Sequence, residues 1–342
     1  MCMRDSSKSL TISDVALAAH VSKATVSRYL NKSGYVSKES AQAIANVLSE
    51  MKYHPNTFAR SLRSKKRNTI FLIVPDITNP FYANVVKFTQ YHAKRHNLLV
   101  VLYNTNEDMK ELLTAIGTAK EIQAAGVFLW TTKACPAVIE ELQSCELTAV
   151  LTNQYEHNIF DTVHSTKTQS TYLTTKHLLS LGHQRIAYVG GPSASSTAKN
   201  RKAAYALALK EANVSFRDDY CFAMEFSEEA GYRFGQHYLS LEPKPTAVCC
   251  ANDLIAFGII RFFREHGICV PDDVSITGID NIGWPEQGSI KLTTVDLNIE
   301  ETTKTMVDLL VDRLSGKYVG LPREIIVNRK FITGNSTTSP RA

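Results

Sequence analysis

Lys23, Ala24, Ser27 and Arg28 are spaced so that a helix would carry them on one face, opposite Val26, Tyr29 and Leu30. That face is small, polar and basic. Lysine and arginine can donate to guanine or to phosphate oxygens and serine to either, while alanine leaves room for close approach or for a thymine methyl group. Further along, Asp76 and Asn79, the pair Asn252-Asp253 and the pair Asp280-Asn281 each follow a short apolar run. Carboxylates accept and carboxamides both accept and donate, which suits a hydroxyl-rich ligand. The same residue types cap helices and turn chains, and for Asp253 and Asn281 both uses stay open. No G-x-G-x-x-G, Walker loop or G-x-S-x-G follows any apolar run, and His164 and His183 lack nucleophile or metal-ligand spacing. The expectation is a binding protein without catalytic residues, cofactor or metal.

The elements that must carry these groups are of two kinds. Thr11-Ile-Ser-Asp14 has the form of a helix start, followed by Val15, Ala16, Ala18, Ala19 and Val21 at helical spacing. Ser22 opens a second helix through Asn31, and Ser37 a third through about Lys52 with Ala41, Ile44, Ala45, Leu48 and Met51 inward. Two short helices joined by His20-Val21-Ser22 and braced by a third make a helix-turn-helix whose second helix can enter a major groove. From Thr69 onward apolar runs alternate with helical stretches: Ile70 to Val74, Leu98 to Tyr103, Val127 to Trp130, Thr148 to Leu151, Ile186 to Val189, Ala247 to Cys250 and Val274 to Gly278. This pattern predicts parallel α/β sheets covered on both faces, with ligands beyond the carboxyl ends of the strands.

Composition agrees with two unlike parts. The 342 residues exceed one ordinary domain, and 44% hydrophobic with 21% charged residues suits globular structure rather than disorder. The net charge of +5 is uneven: residues 1–68 hold twelve Lys/Arg against four Asp/Glu, and the remainder 26 against 29. A polyanion-binding module on a nearly neutral body is one reading, and a solvated basic tail the other. No run has the length of a membrane span and the first ten residues have no apolar stretch of a secretory signal, so a cytoplasmic location without membrane association is expected. The seven cysteines include no C-x-x-C pair and read as free, largely buried thiols, Cys249 and Cys250 pointing to opposite faces of a strand.

Residues Thr11 to Arg28, Thr-Ile-Ser-Asp-Val-Ala-Leu-Ala-Ala-His-Val-Ser-Lys-Ala-Thr-Val-Ser-Arg, resemble the headpiece of the LacI/GalR family of transcription regulators almost position for position. So do Val36-Ser-Lys-Glu39, Tyr53-His-Pro-Asn56 and Ala59-Arg-Ser-Leu62, and in the body Pro75-Asp-Ile-Thr-Asn-Pro-Phe81, the Gly182-His-x-Arg-Ile186 turn, Ala251-Asn-Asp253 and Pro271-Asp-Asp-Val-Ser-Ile-x-Gly-x-Asp280. The similarity runs from about Thr11 to Ile332. It implies an all-α helix-turn-helix headpiece (1–54), a hinge helix and linker (55–68) and an α/β periplasmic-binding-protein-like core (69–342). The core would hold two doubly wound parallel-sheet subdomains, about 69–166 plus 297–324 and about 167–296 plus 325–342, joined by three crossovers. DNA contacts would fall to Thr11, Ser22, Lys23, Ala24, Thr25, Ser27, Arg28, Asn56, Arg60, Leu62 and Arg63. Leu62 would be a minor-groove wedge, an apolar side chain beside arginines that suits kinked DNA; taken without the resemblance it reads as a linker leucine resting on the body.

Carried over residue by residue, the family's effector positions are Phe81, Trp130, Thr197, Arg201, Phe226, Asn252 and Asp280, with Ser165 and Ser195 at two further positions of the same cleft. The implied partners are a pseudo-palindromic operator, a second copy of the chain, and a small molecule, a sugar or sugar derivative, that modulates DNA affinity; repression is the commoner family outcome. The chain departs from the pattern at Ser165-Thr166-Lys167, where many relatives have Asp-Asn, so one carboxylate partner for a ligand is missing. A transport-linked solute-binding protein and an enzyme are the rival classes, opposed by the basic headpiece and by the missing catalytic spacing.

Overall fold

Two compact units, Met1–Arg67 and Asn68–Ala342, make up the chain. The computed structural model describes residues 10–31, 33–51, 68–130, 135–152, 159–164, 169–283 and 290–341. The first unit contains α1 (Ile12–Ala18), α2 (Lys23–Asn31) and α3 (Lys38–Glu50). At the start of α1 the Asp14 carboxylate accepts from the backbone N–H and the hydroxyl of Thr11, each at 2.7 Å. The Ser22 hydroxyl accepts from Thr25 N–H at 3.1 Å and the Ser37 hydroxyl from Ser40 N–H at 3.2 Å, satisfying donors that have no partner inside their helices. His20, at φ 50, makes the turn, and the Val21 N–H returns to the Ala16 carbonyl at 3.0 Å. Val15, Val26 and Ile44, one from each helix, are fully buried beside Ala16 and Ala19. With so small a core, none of the three short helices is expected to stand alone in water. The third ends at Glu50, slightly before its expected end.

The second unit begins with β1 (Thr69–Val74), α4 (Pro80–Lys94), β2 (Leu99–Asn104), α5 (Met109–Glu121), β3 (Gly126–Leu129), α6 (Pro136–Ser144), β4 (Ala149–Leu151) and β5 (Asp161–His164). It continues with α7 (Gln169–Ser180), β6 (Ile186–Gly190), α8 (Ser196–Glu211), β7 (Cys221–Ala223), α9 (Glu228–Tyr238), β8 (Ala247–Cys250), α10 (Asp253–Glu265) and β9 (Ser275–Thr277). Last come β10 (Thr294–Asp296), α11 (Ile299–Leu314), β11 (Glu324–Ile326) and β12 (Lys330–Ile332). One sheet has the order β11-β5-β4-β3-β1-β2 and another β7-β6-β8-β9, with every pairing parallel. The run Ile70 to Val74 is buried throughout, as covering both faces of a sheet requires. Cys249 and Cys250 are buried free thiols, whereas Cys221 is half-buried and Cys269 exposed.

The chain passes between the sheets three times: after β5, between β10 and α11, and between β11 and β12, with β10 and β12 paired antiparallel. Pairing of Ile325 with Val163 and of Ile326 with His164 carries the last strand of the first sheet through Ile326. Strand β5 was not anticipated, because Asp-Thr-Val-His holds a single aliphatic residue. Its polar ends are buried in partnership: Asp161 accepts from Arg313 at 2.7 Å and Arg323 at 2.8 Å, and His164 Nε2 lies 2.6 Å from Glu324. Burial pushes the Asp161 carboxyl up, and the two guanidiniums more than reverse this. Helices α9 and α10 cross so closely that a Cβ on Gly258 would fall 1.8 Å from the Glu228 carbonyl oxygen. Among the described residues no helix is long and apolar enough to cross a membrane.

Candidate nucleic-acid interface and ligand cleft

On α2 the residues expected at DNA divide by exposure. Lys23, Ala24 and Arg28 are exposed, Ser27 and Thr25 half-buried, and Thr11 and Ser22 exposed at the starts of their helices. Three of the hydroxyls also serve locally: Thr11 bonds Asp14, and Ser22 and Thr25 lie 2.8 Å apart. Lys23 and Ala24 occupy the first turn of α2, where free N–H groups and the helix dipole add positive potential to that of Lys23 and Arg28. Tyr35, in the connection from α2 to α3, is 86% exposed, an aromatic that helical periodicity passes over because it lies in a turn. Asn56, Arg60, Leu62 and Arg63 lie outside the described residues.

In the body the expected ligand residues follow the carboxyl ends of strands from both sheets. After β1, the Asn79 side chain caps α4 by accepting from Phe81 N–H at 2.9 Å, which sets Phe81 edge-on against Trp130 at 5.6 Å between centroids. Trp130 directly follows β3, and its Nε1 is buried without a hydrogen-bond partner among the described residues. On the second sheet Arg201 of α8 donates to the Ala251 carbonyl at 2.5 Å and lies 3.7 Å from Asp280 and 5.7 Å from the Phe226 ring. Phe226 reaches this position over Gly191, whose hydrogen matters: a Cβ there would fall 2.1 Å from the ring. Asp280 sits at φ 120, a strained conformation held by its N–H donating to the Val295 carbonyl at 2.9 Å. Burial pushes its carboxyl up to about 6, against the pull of Arg201 and Arg329.

The remaining expected residues are more committed. Ser195 is buried and caps α8, accepting from Ala198 N–H at 3.3 Å; Thr197 is half-buried in the first turn of that helix. Asn252 caps α10 by accepting from Ile255 N–H at 3.0 Å, and its amide lies 3.5 Å from the Phe226 carbonyl. Asp253 resolves as structural: Thr294 Oγ1 donates to it at 2.6 Å and Ile282 N–H at 2.9 Å, and burial, with Asp280 near, pushes it up to about 7. Asn281 is exposed and donates to Asp296 at 3.3 Å. Ser165 lies outside the described residues.

Two residues in this cleft escaped the sequence reading. Tyr82 follows Phe81 on α4, and its hydroxyl is pushed up by burial and by the charges of Asp280, Glu107 and Asp76, with Arg201 opposing. Arg329 lies on the crossover between β11 and β12, where its charge meets those of Arg201 and Asp280. The pair Phe81-Tyr82 at a helix start was a usable signal; nothing in the local sequence separates Arg329 from its neighbour Lys330.

Residues 11–56 match the family model described as bacterial regulatory proteins, lacI family, and residues 175–337 that of a periplasmic binding protein-like domain. The HTH-type transcriptional regulator DegA of Bacillus subtilis is 34% identical over 85% of this chain and 87% of its own length. The chain belongs to the LacI family. Among solved structures, a LacI family transcriptional regulator from Enterococcus faecium with bound ribose is 28% identical, covering 80% of this chain and 100% of that one at a TM-score of 0.71. The lac repressor dimer bound to operator and the anti-inducer ONPF shares the fold at a TM-score of 0.85 over 97% of this chain and 100% of that one, with 24% identity. As a LacI family member the protein is a DNA-binding transcriptional regulator with a small-molecule-binding domain, and its relatives are regulators rather than enzymes.

Proposed function

We propose that the protein is a homodimeric repressor whose operator affinity is set by a sugar or sugar derivative held between the two sheets of the body. The observation that carries the ligand class is the approach of Arg201 to both Asp280 and the Phe226 ring, together with the Phe81-Trp130 pair that follows strands of the first sheet. A carboxylate takes adjacent hydroxyl protons, a guanidinium donates to ring and hydroxyl oxygens, and aromatic faces cover the apolar side of a pyranose or furanose. Asn252, Thr197, Ser195 and Ser165 complete the polar lining in this reading. The E. faecium relative with bound ribose supports the same class.

In this reading the headpiece contacts DNA through Lys23, Ala24, Ser27 and Arg28, at base edges or phosphates, and through Thr11, Ser22, Thr25, Asn56, Arg60 and Arg63, with Leu62 as the minor-groove wedge. A pair of headpieces is needed because one buries too little surface for tight specific binding. The ligand acts by binding one arrangement of the two sheets better than the other, and operator affinity shifts by no more than that difference. Fluorescence anisotropy on genomic fragments, at two salt concentrations and with a sugar panel, tests the reading. Sequence-specific binding altered by one compound is the expected result; weak, sequence-indifferent binding abolished by salt would overturn it.

A further inference from the structure

Arg329 is a charged group of the cleft region that the proposed function leaves without work. Its Nη1 donates to the hydroxyl of Ser170 on α7, and its Nε is buried with no hydrogen-bond partner among the described residues. Burial and then the facing charge of Arg201 push its guanidinium down, with Asp280 partly offsetting them. An arginine keeps its proton nonetheless, so the repulsion between the two guanidiniums persists.

Among the described residues the local charge does not balance. There, Arg201 and Arg329 share one carboxylate, Asp280, which is 3.7 Å from Arg201 and therefore beyond a direct hydrogen bond. Asp253 accepts from Thr294 and Ile282 instead and forms no ion pair with either arginine among the described residues. The other carboxylates in this field, Asp76 and Glu107, act on Tyr82 at the opposite wall, and Asp76 already accepts twice from Thr78. An anion beside the two arginines would relieve the repulsion and supply acceptors for unused donors.

We propose that Arg329 and Arg201 form a two-guanidinium site for an anionic group, a carboxylate or a phosphate, carried by the effector. The inference rests on the sugar-cleft reading and narrows it to acidic or phosphorylated sugars. Hydroxyls of the same ligand face Asp280 and the aromatic wall. Because Arg329 stands on a crossover and holds Ser170, just past the first crossover, the anion also draws on residues that fix the angle between the sheets.

Thermal melts of the full chain test this with matched sets: glucose against gluconate, glucuronate and glucose phosphate; ribose against ribonate and phosphoribose; and inorganic phosphate alone. The expected result is stabilisation by an acid or a phosphate and none by its neutral parent, the two arms telling carboxylate from phosphate. Isothermal titration should then show Arg329→Gln weakening that anion by about 10- to 100-fold, with Arg329→Lys recovering part of the loss because it keeps the charge. A neutral sugar that binds as tightly as its acid, or an Arg329→Gln variant with unchanged anion affinity, overturns the two-arginine site and leaves the sugar cleft standing. Stabilisation by phosphate alone, lost in Arg329→Gln, supports the site and overturns the sugar reading. No stabilisation by any of the set overturns both.

Discussion

The headpiece and the cleft do their recognition with the same kinds of side chain, yet they present them in opposite ways. On α2, Lys23, Ala24 and Arg28 project from a helix held by a handful of buried residues, and they come from six consecutive positions. In the cleft, Phe81, Arg201, Asp280 and Arg329 come from segments scattered over most of the second unit, and each guanidinium is held by one protein acceptor, the Ala251 carbonyl for Arg201 and the Ser170 hydroxyl for Arg329. A surface that reads a rigid, highly charged polymer needs little burial. A cavity for a small polar molecule needs desolvated groups held in place by many others.

The two regions should therefore fail differently. The largest effect is expected from Ile44→Ala, which removes the fully buried residue of α3: about 2–5 kcal/mol, enough to unfold so small a unit while the body keeps its own thermal transition. A calorimetric scan in which both transitions fall together would break the comparison. Next is Arg201→Ala, expected to weaken the effector by about 10- to 100-fold while ligand-free operator affinity stays near wild type, as anisotropy titrations would show. Arg28→Ala should do the reverse, weakening operator binding by about 1–3 kcal/mol and reducing the salt slope only if its contact is to phosphate. Measuring that slope sharpens the division between base reading and backbone contact.

The smallest effect concerns pH. His183 Nδ1 lies 2.9 Å from Thr246 Oγ1, and its Nε2 lies 2.8 Å from the Thr338 carbonyl, so Nε2 donates there. Burial lowers its pKa below the ordinary 6.5, the bond to Thr338 opposing. The neutral ring is favoured in the folded state, so its stabilisation is present above the unfolded pKa and lost as the pH falls below it. Urea melts should show the advantage of wild type over His183→Gln shrinking as the pH falls from about 7 to about 5. A gap that is constant with pH would remove this histidine from the linkage.

The headpiece was legible because all its determinants are local. Thr11, Ser22 and Ser37 announce three helix starts, periodicity identifies Val15, Val26 and Ile44 as the core, and the polar face of α2 follows from the same period. The strands made of aliphatic runs were equally plain. Strand β5 was not, since its burial depends on Arg313 and Arg323 about a hundred and fifty residues away along the chain, and no property of Asp-Thr-Val-His foretells them. The final strand of the first sheet, Glu324–Ile326, is likewise assigned by its partner rather than by its composition.

The same distinction holds at the sites. Sequence by itself determined the two-part plan, the helix-turn-helix and its exposed cations, the parallel α/β body and, through its motifs, the family. Only the tertiary structure decided that Asp253 is spent on Thr294 and Ile282 while Asp280 stays beside Arg201, and that Tyr82 and Arg329 enter the same electrostatic field. Helix caps and hydrophobic periods are short-range, so a linear chain displays them. Whether a buried charge is satisfied or left over depends on groups brought together by the crossovers, and that sum exists only after folding.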